Sequence, residues 1–436
     1  MSDKLALNGG AKAVGELGPY PSKIGREELE ELTSLWGFSP KGRKKLLAAI
    51  RGEKNLRGPH LFRYYNPRPS KVEEAEKRFA KFIGVKHCLA VNSCTSALIA
   101  AMRALGIGMG DEVIVPAYTF FATASTVGAC NAIPVIADVD ETLTLDPRDV
   151  ERKITPRTRA IAVVHMRGMP ARMDKLTAVA RKHKVAIIED VAQAAGGSYK
   201  GRMLGSIGTI GCFSFDYYKV LNSGEGGFVT TNDEWLYTRA QSWHDCAACW
   251  RPDRYGSERR EGELFCGENY RMSELQAAVA AAQLTRLEGI AAKRARLGKI
   301  LTREISGLPG IIPHEVHPEN RHVCWFYMFR VVPEELKCNR STFTKALTAE
   351  GVRASGGYIK VPLYGEPVFQ NHGFFAGRWP VKEMGLTEMD FTKHKCPNAE
   401  SMLTEGIRVY IYEYMTEEYI LQVAAAIKKV ARHFAV

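Results

Sequence analysis

The stretch TRAIAVVHMRGMPARMDKLTAVARKHKVAIIEDVA, residues 158–192, reads as strand, helix, strand. Its outer runs, TRAIAVVHM and VAIIEDVA, are nearly continuous in small and branched apolar residues, so each is expected to be buried on both faces. Between them, KLTAVARKHK spaces its apolar residues as a helix does. Parallel neighbours in a sheet need such a crossover, so this stretch predicts a parallel sheet covered by helices.

The same alternation extends towards the N-terminus. KVEEAEKRFAKFIG reads as a helix, HCLAVNS as a buried strand and TSALIAAMRALG as a helix. DEVIVPA and IPVIADVD are strands, each followed by a helical segment, TFFATASTVGACNA and DPRDVERKI. After the long helical run MSELQAAVAAAQLTRLEGIAAKRARLGKILTREI the pattern changes. WFYMFRVVP reads as a strand of another sheet, and EEYILQVAAAIKKVARHF as a closing helix. We therefore expect an N-terminal arm (1–60), a large α/β domain (61–290) and a smaller C-terminal α+β domain (291–436). The arm is expected to carry helices near Arg26–Trp36 and Lys41–Arg51 and to close over a partner's site.

The 436 residues, 45% apolar and 25% charged, have an ordinary globular composition. No apolar run approaches the ~18 residues of a membrane span. The start MSDKLALNGGAKAVGEL has no signal-peptide pattern, so a cytoplasmic location is expected. In that compartment the ten cysteines are expected to be thiols, not disulfides. HDCAAC (244–249) lacks a second Cys/His pair at zinc spacing, and no metal site is expected. The net charge of +12 includes a basic cluster at 39–59. No aromatic interleaving or helix-turn-helix accompanies it, so nucleic acid is not the expected partner. Steering of an anionic substrate remains compatible with it. Neither GxGxxG after the first strand nor GxxxxGK[ST] is present.

Ligands of such sheets sit at the carboxyl ends of the strands. Those ends carry SCTS (93–96), AYTFF (117–121), HMR (165–167), Glu189-Asp190, and FSFDYYKVLNSGEGG (213–227). SCTSAL offers backbone N–H groups and hydroxyls at a helix start, an anion site. Phe120 offers an aromatic face, the acidic pair a carboxylate, and SFDYYK a hydroxyl and an amine five residues apart. Pyridoxal phosphate needs all four: a phosphate cradle, a stacking ring, a carboxylate for its pyridine nitrogen and a lysine for its aldehyde. Taken singly, each residue has a commonplace reading as cap, core or surface; their order along the strand ends favours the site. SGEGG gives the backbone room beside that lysine, with Glu225 read as a turn residue.

On these motifs, with GENYRMSELQAAV (267–279), the sequence resembles the DegT/StrS sugar aminotransferases, a branch of fold-type I pyridoxal phosphate enzymes. The resemblance covers roughly residues 65–430. It implies a mainly parallel seven-stranded sheet plus a smaller C-terminal α+β domain, and a homodimer with shared active sites. It makes Lys219 the catalytic lysine and proton carrier and Asp190 the partner of the pyridine nitrogen. It places Phe120 and Gln193 on the ring, has Ser93, Cys94, Thr95 and Ser214 hold the phosphate, and lets Asn269 reach the partner's phosphate. Cys94 stands where the family usually has Gly, which requires a backbone that a side chain tolerates. His165, Arg167, Tyr218 and His244 are candidates for substrate contact, with Tyr217 beside them. His165 is equally readable as a satisfied core histidine.

Family members with His at the lysine position are dehydratases; Lys219 points to transamination. The expected reaction takes an amine from glutamate or glutamine to a keto-sugar or keto-cyclitol. The LALNGG start and GEGG ending resemble cyclitol aminotransferases and 3-amino-5-hydroxybenzoate synthase. LFRYYN, VHMRGMPARMD and GGSYKGRMLGSIG resemble the transaminase forming 8-amino-3,8-dideoxy-octulosonate. The alternatives are removal of an amine from an unusual heterocyclic or aromatic-precursor substrate, and a non-catalytic regulatory protein on the same fold.

Overall fold

A computed structural model describes residues 4–15, 24–54, 70–248 and 260–436. The LFRYYN motif, residues 55–59 of the basic segment and Cys249 of HDCAAC lie outside the described residues.

The large sheet has seven strands: β1 His87–Val91, β2 Glu112–Pro116, β3 Ile133–Ala137, β4 Thr158–Val164, β5 Ala186–Asp190, β6 Ile210–Ser214 and β7 Gly227–Thr231. Their spatial order is β1-β7-β6-β5-β4-β2-β3. β2–β6 pair in parallel, and β7 runs antiparallel to both β6 and β1. The expected α/β architecture is observed. Every residue of β2, β3, β6 and β7 is buried, as strands covered on both faces require. The sequence reading had not singled out GFVTT as a strand; its antiparallel return is what folds the lysine segment back over the sheet end.

Lys71–Ile83 packs Phe79 against Phe213 and Phe228, with ring centroids 4.7 and 4.8 Å apart, under the lysine-bearing hairpin. The 32-residue helix Glu274–Ile305 buries Ala277, Ala280 and Leu287 against that cluster, and Leu297, Leu301 and Ile305 in another. Residue 290 thus lies inside a continuous helix that joins two cores. The second core belongs to a four-stranded antiparallel sheet of Ile311–Pro313, Tyr327–Val331, Gly406–Val409 and Ala354–Gly356, covered by Glu417–Phe434. Near the N-terminus are helices Arg26–Thr33 and Pro40–Gly52. No helix among the described residues is long and apolar enough to cross a membrane.

The end of β5 is anchored by Glu189, whose carboxylate is fully buried. It accepts hydrogen bonds from the backbone N–H groups of Gly205 (2.9 Å), Ile207 (2.7 Å) and Gly208 (2.6 Å), and one from His165 Nε2 (3.0 Å). His165 Nδ1 accepts from the Ala171 N–H at 3.1 Å, so the ring carries its proton on Nε2. Burial alone would raise the Glu189 carboxyl; the His165 and backbone hydrogen bonds outweigh it and hold the group below its ordinary range. A depressed folded-state value stabilises the fold above the unfolded carboxyl range of about 4.3 and loses that contribution as pH falls through the folded value. Urea unfolding should therefore show Glu189→Gln less stable at pH 7 by about 1–3 kcal/mol. The deficit should narrow below about pH 4.

Candidate active site

Five strand ends and the smaller sheet enclose a cavity of about 830 Å³. Lys219, Asp190, Ser93, Cys94, Thr95, Phe120, Gln193, Ser214 and Tyr218 all line it. The chain brings them together through short-range devices. Ser93 Oγ caps the helix Cys94–Ala104 by accepting from the Ser96 N–H at 3.1 Å. The N–H groups of Cys94 and Thr95 have no hydrogen-bond partner among the described residues, which leaves an anion-accepting helix start. Cys94 has no positive φ, so a side chain fits where the family usually has Gly.

The lysine sits in the β6–β7 hairpin. Phe215 N–H donates to Gly226 O (2.8 Å), Tyr217 N–H to Gly224 O (3.0 Å), and Lys219 N–H to Asp216 O (2.9 Å). Gly227 is required by proximity: a Cβ there would lie 2.6 Å from Phe213 O and 2.7 Å from the Ser93 carbonyl. This approach sets the lysine loop against the helix start. Lys219 Nζ lies 4.2 Å from the Trp325 ring centroid, and Trp325 Nε1 donates to Tyr218 O at 2.7 Å. Burial pushes the Lys219 amine below its ordinary pKa, against the opposing pull of Cys94, Asp216 and Asp190.

Asp190 ends β5 one residue after Glu189 and, by strand alternation, faces the other way. Its Oδ2 accepts from Thr123 Oγ1 at 2.9 Å and its Oδ1 from the Ala192 N–H at 3.1 Å. Burial raises its pKa despite these bonds. Asp190 has no ion-pair partner among the described residues, so a buried carboxylate awaits a cationic partner. Phe120 is 55% exposed with its ring on the cavity wall. An open helix start, a waiting carboxylate, an exposed ring and a depressed amine fit pyridoxal phosphate: Cys94, Thr95 and Ser214 would receive its phosphate, and Asp190 its ring nitrogen.

Three expected substrate contacts do not line the cavity. His165 is fully buried and occupied by Glu189, so it has the role of a satisfied core histidine. His244 is buried with Nδ1 at 2.5 Å from Gln241 O. Arg167 is 1% exposed and lies behind Gln193, its N–H donating to Gln193 Oε1 at 2.7 Å. Asn269 is exposed and outside its own chain's cavity.

The smaller sheet contributes a wall that the sequence reading missed: Trp325, Phe326, Tyr358, Arg408, Tyr410 and Tyr412. The alternate tyrosines of YIYEY (410–414) were its visible signal, since residues two apart in an extended run share a face. Tyr410, Tyr412 and Tyr414 stack at centroid distances of 5.8 and 5.3 Å. Arg408 Nε donates to Ser355 Oγ at 3.1 Å, and its guanidinium lies 4.9 Å from the Tyr410 ring. It pairs with no carboxylate among the described residues, whereas the cavity's other arginine, Arg294, is taken by Glu413.

The profile of the DegT/DnrJ/EryC1/StrS aminotransferase family matches residues 67–428. The L-glutamine:2-deoxy-scyllo-inosose aminotransferase of Micromonospora echinospora is 44% identical over 327 residues, covering 74% of this chain and 76% of its own. Spore coat polysaccharide biosynthesis protein SpsC of Bacillus subtilis is 37% identical over 369 residues, 83% of this chain and 90% of its own. Among solved structures, the aminotransferase from Psychrobacter cryohalolentis superposes with a TM-score of 0.76 at 28% identity, covering 91% of this chain and 98% of its own. S. venezuelae DesV gives 0.70 at 31% identity, covering 93% and 95%. With the family's pattern running through nearly the whole described fold and its site assembled at the strand ends, the chain belongs to the DegT/DnrJ/EryC1/StrS aminotransferase family and is a transaminase.

Proposed function

We propose that the protein, as a homodimer, uses pyridoxal 5′-phosphate to move an amino group from L-glutamine or L-glutamate to a keto group on a sugar or cyclitol ring. The observation that carries this reading is the pair formed by Lys219 and Asp190: an amine depressed by burial and a carboxylate without an ion pair, lining one cavity with an open helix start. The names of relatives acting with glutamine on an inosose support the donor and acceptor classes. Exposed Asn269, outside its own cavity, is available to a second copy.

When bound, the cofactor supplies an electron-withdrawing ring that stabilises negative charge on the carbon losing a proton. The protein's residues do the rest. Lys219 Nζ, whose charged form burial disfavours, takes the proton from the donor's α-carbon and returns one to the other side of the transferred nitrogen. Asp190 holds positive charge at the ring nitrogen, and Thr123 and the Ala192 N–H fix its plane. The Arg408 Nη groups make no hydrogen bond among the described residues and are free for a bidentate grip on the donor's α-carboxylate. Tyr410, Tyr412 and Trp325 give flat apolar faces to a saturated ring.

Three outcomes follow. Holoenzyme mixed with L-glutamine, L-glutamate or L-alanine should lose its visible cofactor absorbance with one of the first two. Lys219→Ala should slow this by about 10²–10⁴-fold. The wild-type rate should climb with pH to a midpoint below the ordinary lysine value of about 10.4. If no donor changes the spectrum, the donor assignment fails.

Asp190→Asn preserves shape and the Thr123 hydrogen bond but removes the charge. Steady-state turnover should fall about 100- to 1,000-fold with folding retained by circular dichroism.

Arg408→Gln should raise the half-saturating donor concentration about 10- to 100-fold in stopped-flow traces while changing the limiting rate far less. An unchanged half-saturation would remove Arg408 from the donor site.

A further inference from the structure

Arg167 is a buried cation with no carboxylate partner, placed directly behind the cavity. Its side chain is 1% exposed, and burial lowers its pKa to about 10. Its backbone is left-handed, with φ at +53° in a residue that is not glycine. Nothing in the transamination chemistry calls for a buried arginine at this point, and a lone buried guanidinium is costly. The hydrogen bonds around it show what it holds.

Arg167 Nη1 lies 3.0 Å from His314 Nδ1. The same nitrogen is 3.1 Å from the Met328 carbonyl, so this contact alone does not set the tautomer. The far end sets it. His314 Nε2 is 3.1 Å from His322 Nδ1, and His322 Nε2 is 3.1 Å from the carbonyl oxygen of Arg167 itself. With both rings neutral, His322 Nε2 must donate to that carbonyl, which leaves His322 Nδ1 to accept from His314 Nε2 and His314 Nδ1 to accept from the guanidinium. The chain of donors closes on the residue where it began: guanidinium to His314, His314 to His322, His322 to the Arg167 carbonyl. Each link has one donor and one acceptor only if both imidazoles are neutral. Burial, then the neighbouring Arg167 charge, keeps both well below the ordinary histidine range. Nη2 adds a bond to Thr142 O at 3.2 Å.

The backbone so fixed carries two cavity residues. The Arg167 N–H donates to Gln193 Oε1 at 2.7 Å, and the Arg167 carbonyl accepts from the Trp325 N–H at 3.0 Å. The first bond settles which end of the Gln193 amide is which: Oε1 is consumed, and the Nε2 donors have no partner among the described residues. The second anchors the tryptophan whose ring faces Lys219 Nζ at 4.2 Å. Gly168 completes the turn at φ +87°, where a Cβ would lie 2.8 Å from Val323 Cγ2 and 3.2 Å from Gln193 O. The turn is thus wedged between the two segments it aligns.

We propose that Arg167 is a positioning residue of the transaminase. Through its closed hydrogen-bond ring with His314 and His322, it fixes Gln193 as a hydrogen-bond donor to the bound cofactor and holds Trp325 against Lys219. The inference rests on the proposed cofactor, and on the proposed donor for its rate measurement alone.

The test is a double-mutant cycle on purified holoenzyme, with Arg167→Met, Gln193→Ala and the double variant. Three quantities are read: the cofactor dissociation constant, its absorption maximum, and the single-turnover rate with L-glutamine. The first two need no amino donor, so failure of the donor assignment leaves them intact. Each single variant should weaken cofactor binding and slow the half-reaction about tenfold, and shift the absorption maximum the same way. In cofactor affinity and absorption maximum the double variant should be no worse than Gln193→Ala, because on those two quantities Arg167 acts in series with Gln193, while the half-reaction loses the Trp325 arm in addition. Arg167→Lys, which keeps the charge and one donor, should recover part of the loss. Independent, multiplying losses of cofactor affinity, about a hundredfold in the double variant, would overturn the proposal. So would an Arg167→Met enzyme within twofold of wild type in all three quantities. Should Arg167→Met fail to fold, His322→Leu removes the donor to the Arg167 carbonyl and replaces it in the same cycle, with the same two overturning results.

Discussion

Two adjacent carboxylates at the end of one strand organise this protein. Strand alternation sends Glu189 and Asp190 to opposite sides of the sheet. Glu189 spends its lone pairs on three backbone N–H groups and one imidazole, all belonging to the scaffold. Asp190 accepts two hydrogen bonds and makes no ion pair among the described residues. One is saturated and structural; the other is left wanting positive charge on the cavity wall. The seven-stranded sheet must keep its register for this division of labour, because a slip of one residue would exchange the two faces.

Around this point the fold tolerates several groups at odds with their surroundings. Lys219 is held where its charged form is disfavoured, Asp190 where its ionised form is disfavoured, and Arg167 where it has only neutral partners. Each would weaken an ordinary core. Here they sit together, with the Lys219 amine and the Asp190 carboxylate on the cavity wall and the arginine behind Gln193. The lysine hairpin is brought in by close backbone contact at Gly227, and the aromatic wall comes from a separate sheet joined through one long helix.

Much of this could be read in advance, and the reasons are local. Continuous apolar strands alternating with periodic helices leave few architectures besides a covered parallel sheet. Once strand ends are placed, SCTS, Phe120, Asp190 and Lys219 fall together because they lie at the same end of neighbouring strands. The short antiparallel strand GFVTT and the strands of the smaller sheet other than Tyr327–Val331 were harder to read. They are brief, and antiparallel pairing of short segments is decided by tertiary neighbours more than by propensity.

The sequence by itself determined the covered sheet and the family, and singled out strand-end residues that line the cavity, since strand periodicity and ordered motifs are written along the chain. Only the tertiary structure decided what Arg167, His165 and His244 do, because a polar residue at a strand end can turn either towards the ligand or back into the core. It alone also placed Arg408 and the tyrosine ladder, more than 180 residues after Lys219, on the same cavity. No local pattern connects residues so far apart; packing of the smaller sheet against the strand ends does.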